Sequence, residues 1–215
     1  MSRGAPGTVH RSGPVRLFLD ILQGAGLAGA AGLRPFLPTL AAGALAGAGL
    51  HGEFWGFDFA GTDYAFLQAG WFLLVVLAAM AVTLALSRRL GPEALERGPF
   101  GAAIAGISLG LGALLFAGTL ADDGYASWPG LIGGLACAAL AQAAARSLFT
   151  RVRARLDASA RNALTAYADG ASLVGAVAAI LVPPLSVGTL GFLAWLLAGG
   201  KRREGERFAG LRILR

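Results

Sequence analysis

Four stretches of the chain, residues 66–86, 100–121, 129–145 and 170–200, carry no charged side chain. Most are long enough to cross a hydrocarbon core of about 30 Å. None shows the alternation of apolar and polar positions that marks a membrane β-strand. In lipid the backbone must satisfy its own hydrogen bonds, so such runs predict helices. The fold class expected is all-α: a polytopic helical membrane bundle.

A further apolar segment, 17–50, holds 34 residues, about 51 Å as one helix and too long for a perpendicular span. It contains Gly32-Leu33-Arg34-Pro35-Phe36-Leu37-Pro38. Pro35 and Pro38 each remove a backbone donor, and Pro35 disfavours helical angles at Arg34, so a broken helix is expected. The last segment repeats the device, with Pro183-Pro184 between 170–182 and 185–200. Asp20 precedes Pro35 by 15 residues and Asp169 precedes Pro184 by 15, a register that also matches Gly26 with Gly175 and Ala30 with Ala179. Paired interrupted segments of this kind mark midplane binding sites in secondary transporters, and coincidence in a Gly/Ala-rich chain is the alternative. The final segment is the better candidate for a re-entrant hairpin, since both its flanks are basic and its halves are short. The expectation is four clear spans plus this hairpin, or six helices if it crosses fully.

Composition agrees: 215 residues, 56% hydrophobic and 33 glycines, with a mean hydropathy of +0.65, describe one membrane domain over 17–200. Residues 1–16 read as a disordered basic lead and 201–215 as a basic cytoplasmic tail. The first apolar segment starts only at Leu17 and holds Asp20 and Arg34, so a cleaved signal peptide is not expected. Cys137, the single cysteine, cannot form an intrachain disulfide. The net charge of +6 concentrates in the N-terminus, around 88–97, over 146–161 and in the tail. The acidic loops 51–65 and 121–128 have no Lys or Arg. This places the charge at a membrane surface and not on nucleic acid. By the positive-inside rule, both termini face the cytoplasm and the acidic loops face outward.

Arg34 is the most informative polar position. A guanidinium inside a membrane segment faces a bundle interior, a water-filled cavity or a counter-charge. Beside a helix break it suits an anion such as a phosphate or carboxylate. The alternatives are snorkelling to the interface, or pairing with Asp20 or Asp169. Arg34, Pro35, Asp20, Asp169, Pro183 and Pro184 form the candidate substrate site. For the two aspartates, each followed one turn on by Gln23 or Ser172, helix capping is the structural reading and proton or cation coupling the functional one.

Gln68, Thr83, Ser108, Thr119 and Gln142 are expected to form interhelical hydrogen bonds, and the glycine pairs 43/47, 106/110 and 130/134 close helix contacts. Trp71, Trp128, Trp195, Trp55, Phe54, Phe57 and Phe59 read as interfacial aromatics. Arg151, Arg153, Arg155, Lys201, Arg202 and Arg203 read as contacts to anionic lipid. His51, Glu53, Asp58 and Asp63 match no metal-ligand spacing. No catalytic or nucleotide motif is present, so neither an enzyme nor a cofactor is expected.

Three stretches, Gly32-Leu33-Arg34-Pro35-Phe36-Leu37-Pro38, Leu181-Val182-Pro183-Pro184-Leu185 and Ala209-Gly210-Leu211-Arg212-Ile213-Leu214-Arg215, together resemble the small bacterial membrane proteins of domain of unknown function family 4126. The resemblance covers the two ends of the chain. It implies a bacterial inner-membrane location and no assigned activity. The functional expectation is a transporter or permeation pathway for an anionic solute or a lipid-phosphate headgroup. A scaffold that organises partners or anionic lipids and an oligomeric ion channel, with Asp122 and Asp123 ringing a mouth, stay open as alternatives. An enclosed polar cavity at Arg34 favours transport, and Arg34 bridged to an aspartate in a dry core favours the scaffold.

Overall fold

The computed structural model describes residues 13–49, 58–90, 98–153 and 158–209. Among these, seven α-helices and one 3-10 turn make up the chain, with no strands: α1 Pro14–Leu33, α2 Phe36–Gly47, the 3-10 turn Ala65–Gln68, α3 Gly70–Leu90, α4 Gly98–Asp122, α5 Trp128–Arg153, α6 Ala158–Leu181 and α7 Leu185–Ala209. The all-helical expectation is met. Among the described residues, three helices, where four clear spans were expected, are long and apolar enough to cross a membrane: Gly70–Arg89, Gly98–Asp122 and Trp128–Val152.

Helix α1 is the centre of the molecule. Ten consecutive residues, Gln23 to Gly32, are buried, so the helix is enclosed on all sides. Their identities explain how: the eight residues of this run other than Gln23 and Leu27 are all Gly or Ala, and each glycine admits a different partner. A methyl group added at Gly24 would strike Phe116 and Thr119 of α4; at Gly26, Ser186 of α7 and Ala179 of α6; at Gly29, Leu190 of α7; and at Gly32, the backbone of Ala138 in α5. Small side chains let backbones approach closely, which is how helices gain contact in a lipid solvent. The helix begins at Pro14, where a missing N–H costs nothing at a first turn, so residues 14–16 belong to it and not to the disordered lead.

The chain reverses between α1 and α2. Arg16 Nε, near the start of α1, lies 3.7 Å from Asp123 Oδ2 after the end of α4. The far end of α2 packs on the 3-10 turn, where Gly43 meets the Leu67 carbonyl. That turn is tied to the same end of the bundle: Gln68 Nε2 donates to Asp58 Oδ1 at 2.9 Å, and the Asp58 N–H donates to Asp122 Oδ2 at 3.1 Å. Both ends of the α1–α2 pair therefore meet the acidic turn. This corrects the charge-based topology, which put the N-terminal segment and 121–128 on opposite faces. The physical reason is the helix break at Arg34-Pro35, after which α2 packs against the 3-10 turn.

A second reversal joins α6 to α7. Ala179 and Ser186 both abut Gly26, while Gly175 lies near Ala30 and Leu190 near Gly29. The two helices thus run antiparallel from the turn at Pro183-Pro184, pointing away from the acidic end. Helix α7 continues through Lys201, Arg202 and Arg203 to Ala209.

Phe59 is wholly buried against Gly118 of α4. It is a core residue and not an interfacial aromatic. Helix α3 is the opposite case, with Trp71, Leu74, Val75 and Val82 each more than half exposed; it packs on α2 and the 3-10 turn.

Of the polar residues assigned to interhelical bonds, Gln142 makes one, donating from Nε2 to the Ala105 carbonyl at 3.4 Å. Thr83 and Thr119 donate instead to Ala79 and Phe116 of their own helices, the backbone back-bonding open to threonine inside a helix. Gln68 serves the 58–69 loop, and Ser108 is buried on α4. Of the glycine pairs, Gly130 and Gly134 face the α4 backbone at Ala117 and Ala113, Gly43 and Gly47 face the 3-10 turn, and Gly106 and Gly110 have open space beside them.

Candidate functional site

Proline sets the position of Arg34. Helix α1 stops at Leu33, and Arg34 adopts an extended conformation (φ −150°, ψ 118°) with its N–H still donating to Ala30, as expected for a residue before proline. Helix α2 starts directly after Pro35, and Thr39 Oγ1 donates to the Pro35 carbonyl at 2.7 Å. That bond closes the first turn of α2.

The turn lies about halfway along the spans. Gly32, two residues before Arg34, abuts Ala138, ten residues into α5, and Gly112, ten residues from the end of α4, abuts the same Ala138. Each interval is about 15 Å of helix.

Arg34 meets Asp169 there. Its Nε lies 3.1 Å from Asp169 Oδ1, with side-chain exposures of 25% and 43%. The geometry is that of an ion pair without an aligned hydrogen bond: Nε and Nη2 are both buried and neither has a hydrogen-bond partner. Nη2 is thus a donor with an open valence beside a carboxylate. The pair is neither wet nor dry: it is joined to an aspartate, as the scaffold reading requires, but partly accessible, as that reading does not.

Asp20 belongs elsewhere. It faces Asp123, with Arg16 and Asp122 beside it, and is 14 residues from Arg34 along α1, about 21 Å. Nor do Asp20 and Asp169 cap helices: Asp20 lies inside α1, whose N-cap is Gly13, and Asp169 lies inside α6. Pro183 and Pro184 form the second turn, level with Gly26 and about 12 Å from Arg34 along α1. The six residues read as one site therefore occupy three places, and only Arg34, Pro35 and Asp169 come together.

The second turn has its own polar residues. Gln23, buried, donates from Nε2 toward the Ile180 carbonyl at 3.5 Å, one of the acceptors freed where α6 stops. Ser186 is buried with its Oγ unpartnered. Neither role was legible in the sequence. The signal for Gln23 is an amide alone in a run of Gly, Ala and Leu.

Asp122 and Asp123 are engaged within the chain, with Asp58 and Arg16, and the Asp123 side chain is 7% exposed. No group of three or more metal-capable side chains occurs among the described residues. Residues 50–57, with His51, Glu53, Phe54, Trp55 and Phe57, lie outside the described residues, as does Arg155. The side chains of Arg153, Lys201, Arg202 and Arg203 do so too, leaving Arg151 as the described member of the lipid set; it donates to Ser147.

No family model, no curated protein and no solved structure matches this chain. The resemblance to family 4126 rests on its short motifs alone.

Proposed function

We propose that this chain is an integral membrane transport protein that carries an anionic solute or a lipid-phosphate headgroup past Arg34. The observation that carries the reading is the Arg34–Asp169 pair: a partly accessible guanidinium at a helix turn, midway along the spans, with a donor left open. Ionisable groups at such a depth are costly in lipid and mark solute pathways.

In this reading 17–50 and 170–200 are membrane segments broken at their prolines, entering from opposite ends and overlapping at α1. An internal inverted repeat is supported by register. The 149-residue offset from Asp20 to Asp169 and from Pro35 to Pro184 also carries Phe36, which opens α2, onto Leu185, which opens α7. It exchanges two contacts as well, Gly26 with Ala179 and Ala30 with Gly175. Inverted segments meeting at mid-depth are a frame for alternating access. The positive-inside rule then turns the end with Arg88, Arg89, Arg146 and Arg151 to the cytoplasm, with anionic lipid at its basic residues, and leaves the start of α1 on the other side.

The test is reconstitution in vesicles with two probes: radiolabelled inorganic phosphate for a soluble anion, and dithionite bleaching of a fluorescent phospholipid for headgroup movement. One probe is expected to move faster than in protein-free vesicles, and Arg34→Gln is expected to remove that excess while the protein still inserts and elutes as wild type. Movement of neither probe and of no radiolabelled amino acid, or a rate indifferent to Arg34→Gln, overturns the reading.

A further inference from the structure

The site at Arg34 is electrically neutral, and this restricts what it can hold. We infer that its ligand is zwitterionic, with an oxyanion that takes Arg34 and an ammonium group that takes Asp169. The inference rests on the transport reading and narrows it.

Arg34 and Asp169 are 3.1 Å apart, and the other described charges near α1, Arg16, Asp20, Asp122 and Asp123, sit at the acidic end. A simple anion binding at Arg34 must either displace the Asp169 carboxylate, leaving it without a counter-charge at mid-depth, or sit beside it, one negative charge against another. Both leave an uncompensated charge where the two side chains are only 25% and 43% exposed, at a cost in lost solvation and pairing. A ligand that carries both signs leaves the total at zero in every arrangement.

The geometry offers a route. Arg34 Nη2 has no acceptor within the chain and is the donor left for an oxyanion, which guanidinium groups pair with in bidentate fashion. The 43% exposure of the Asp169 side chain leaves its carboxylate open to an incoming ammonium. The pair then separates as each member exchanges its protein partner for a ligand group. A free amino acid and an ethanolamine phosphodiester headgroup share this chemistry.

The experiment measures binding to the purified full chain with matched probes. Glycerophosphoethanolamine is compared with glycerophosphoglycerol, which keeps the phosphodiester and lacks the ammonium. β-Alanine is compared with propionate, which keeps the carboxylate. Within one of the two pairs, the zwitterion is expected to bind wild type about tenfold more tightly than its anion counterpart, a difference of about 1.4 kcal/mol. The phosphodiester pair responding indicates a headgroup, and the carboxylate pair an amino acid. Asp169→Asn is expected to reverse the order, since Arg34 without its counter-charge prefers the plain anion, and Arg34→Gln to remove both affinities. If the anion binds wild type as tightly as the zwitterion, or Asp169→Asn leaves the order unchanged, the zwitterion inference fails while the transport reading stands. If no probe binds and both substitutions only lower the melting temperature, the pair is structural and both fail.

Discussion

Arg16 and Asp123, 107 positions apart in the sequence, sit with Nε and Oδ2 3.7 Å apart, joining the start of α1 to the turn between α4 and α5. A basic residue from the N-terminal segment and an acidic one from the turn thus share one end of the bundle, although charge alone would part them.

The first expectation is one of sidedness. In a Cys137→Ser background, single cysteines at Gly13 and Ala126 should react with a membrane-impermeant maleimide from the same side, and one at Thr150 from the other. Labelling of Gly13→Cys together with Thr150→Cys would show that α1 does not fold back.

Small residues on α1 should be intolerant where they face backbone. Gly32→Ala sets a methyl against the Ala138 carbonyl and Cα, which cannot rotate away, and should cost about 1–3 kcal/mol. Gly106→Ala and Gly110→Ala, with open space, should be neutral or stabilising by up to about 1 kcal/mol through helix propensity. Thermal unfolding in one detergent decides the matter, and equal effects at the three positions would contradict the packing of α1 on α5.

The acidic-end loop should behave as one unit. Asp58 Oδ1 accepts from Gln68 Nε2 and from the Ala60 N–H, at 2.9 and 2.7 Å, while Gln68 Oε1 accepts from the Phe59 N–H at 3.0 Å. Asp58→Ala and Gln68→Ala should each cost about 1–2 kcal/mol, and the double variant clearly less than their sum, since either alone already opens the shared bonds. Additive losses would show that the two side chains act separately.

A double-mutant cycle on Arg34→Gln and Asp169→Asn should give a coupling of about 1 kcal/mol or less, because both side chains are partly exposed and solvent screens the pair. Chemical denaturation in mixed micelles measures it. A coupling near 3–5 kcal/mol would mark a desolvated structural bridge and weigh against ligand exchange at this site.

Local chemistry determined much of this protein. Uninterrupted apolar runs dictated helices in α3, α4 and α5. Pro35 and the Pro183-Pro184 pair dictated where α1 and α6 stop, because a proline lacks the N–H and the space that helix continuation needs. Arg34 stood out from sequence alone, since a guanidinium among apolar residues must find a partner. What the tertiary structure decided is where the chain goes after each stop and which aspartate Arg34 meets. A proline ends a helix without fixing the direction of the next one; that direction follows from which surfaces pack, and here Gly24, Gly26, Gly29 and Gly32 open α1 to four other helices at once. Asp20 and Asp169 are equivalent in the sequence register, yet one reaches Asp123 and the other Arg34, because only the packing of α6 along α1 brings residues 135 positions apart into contact.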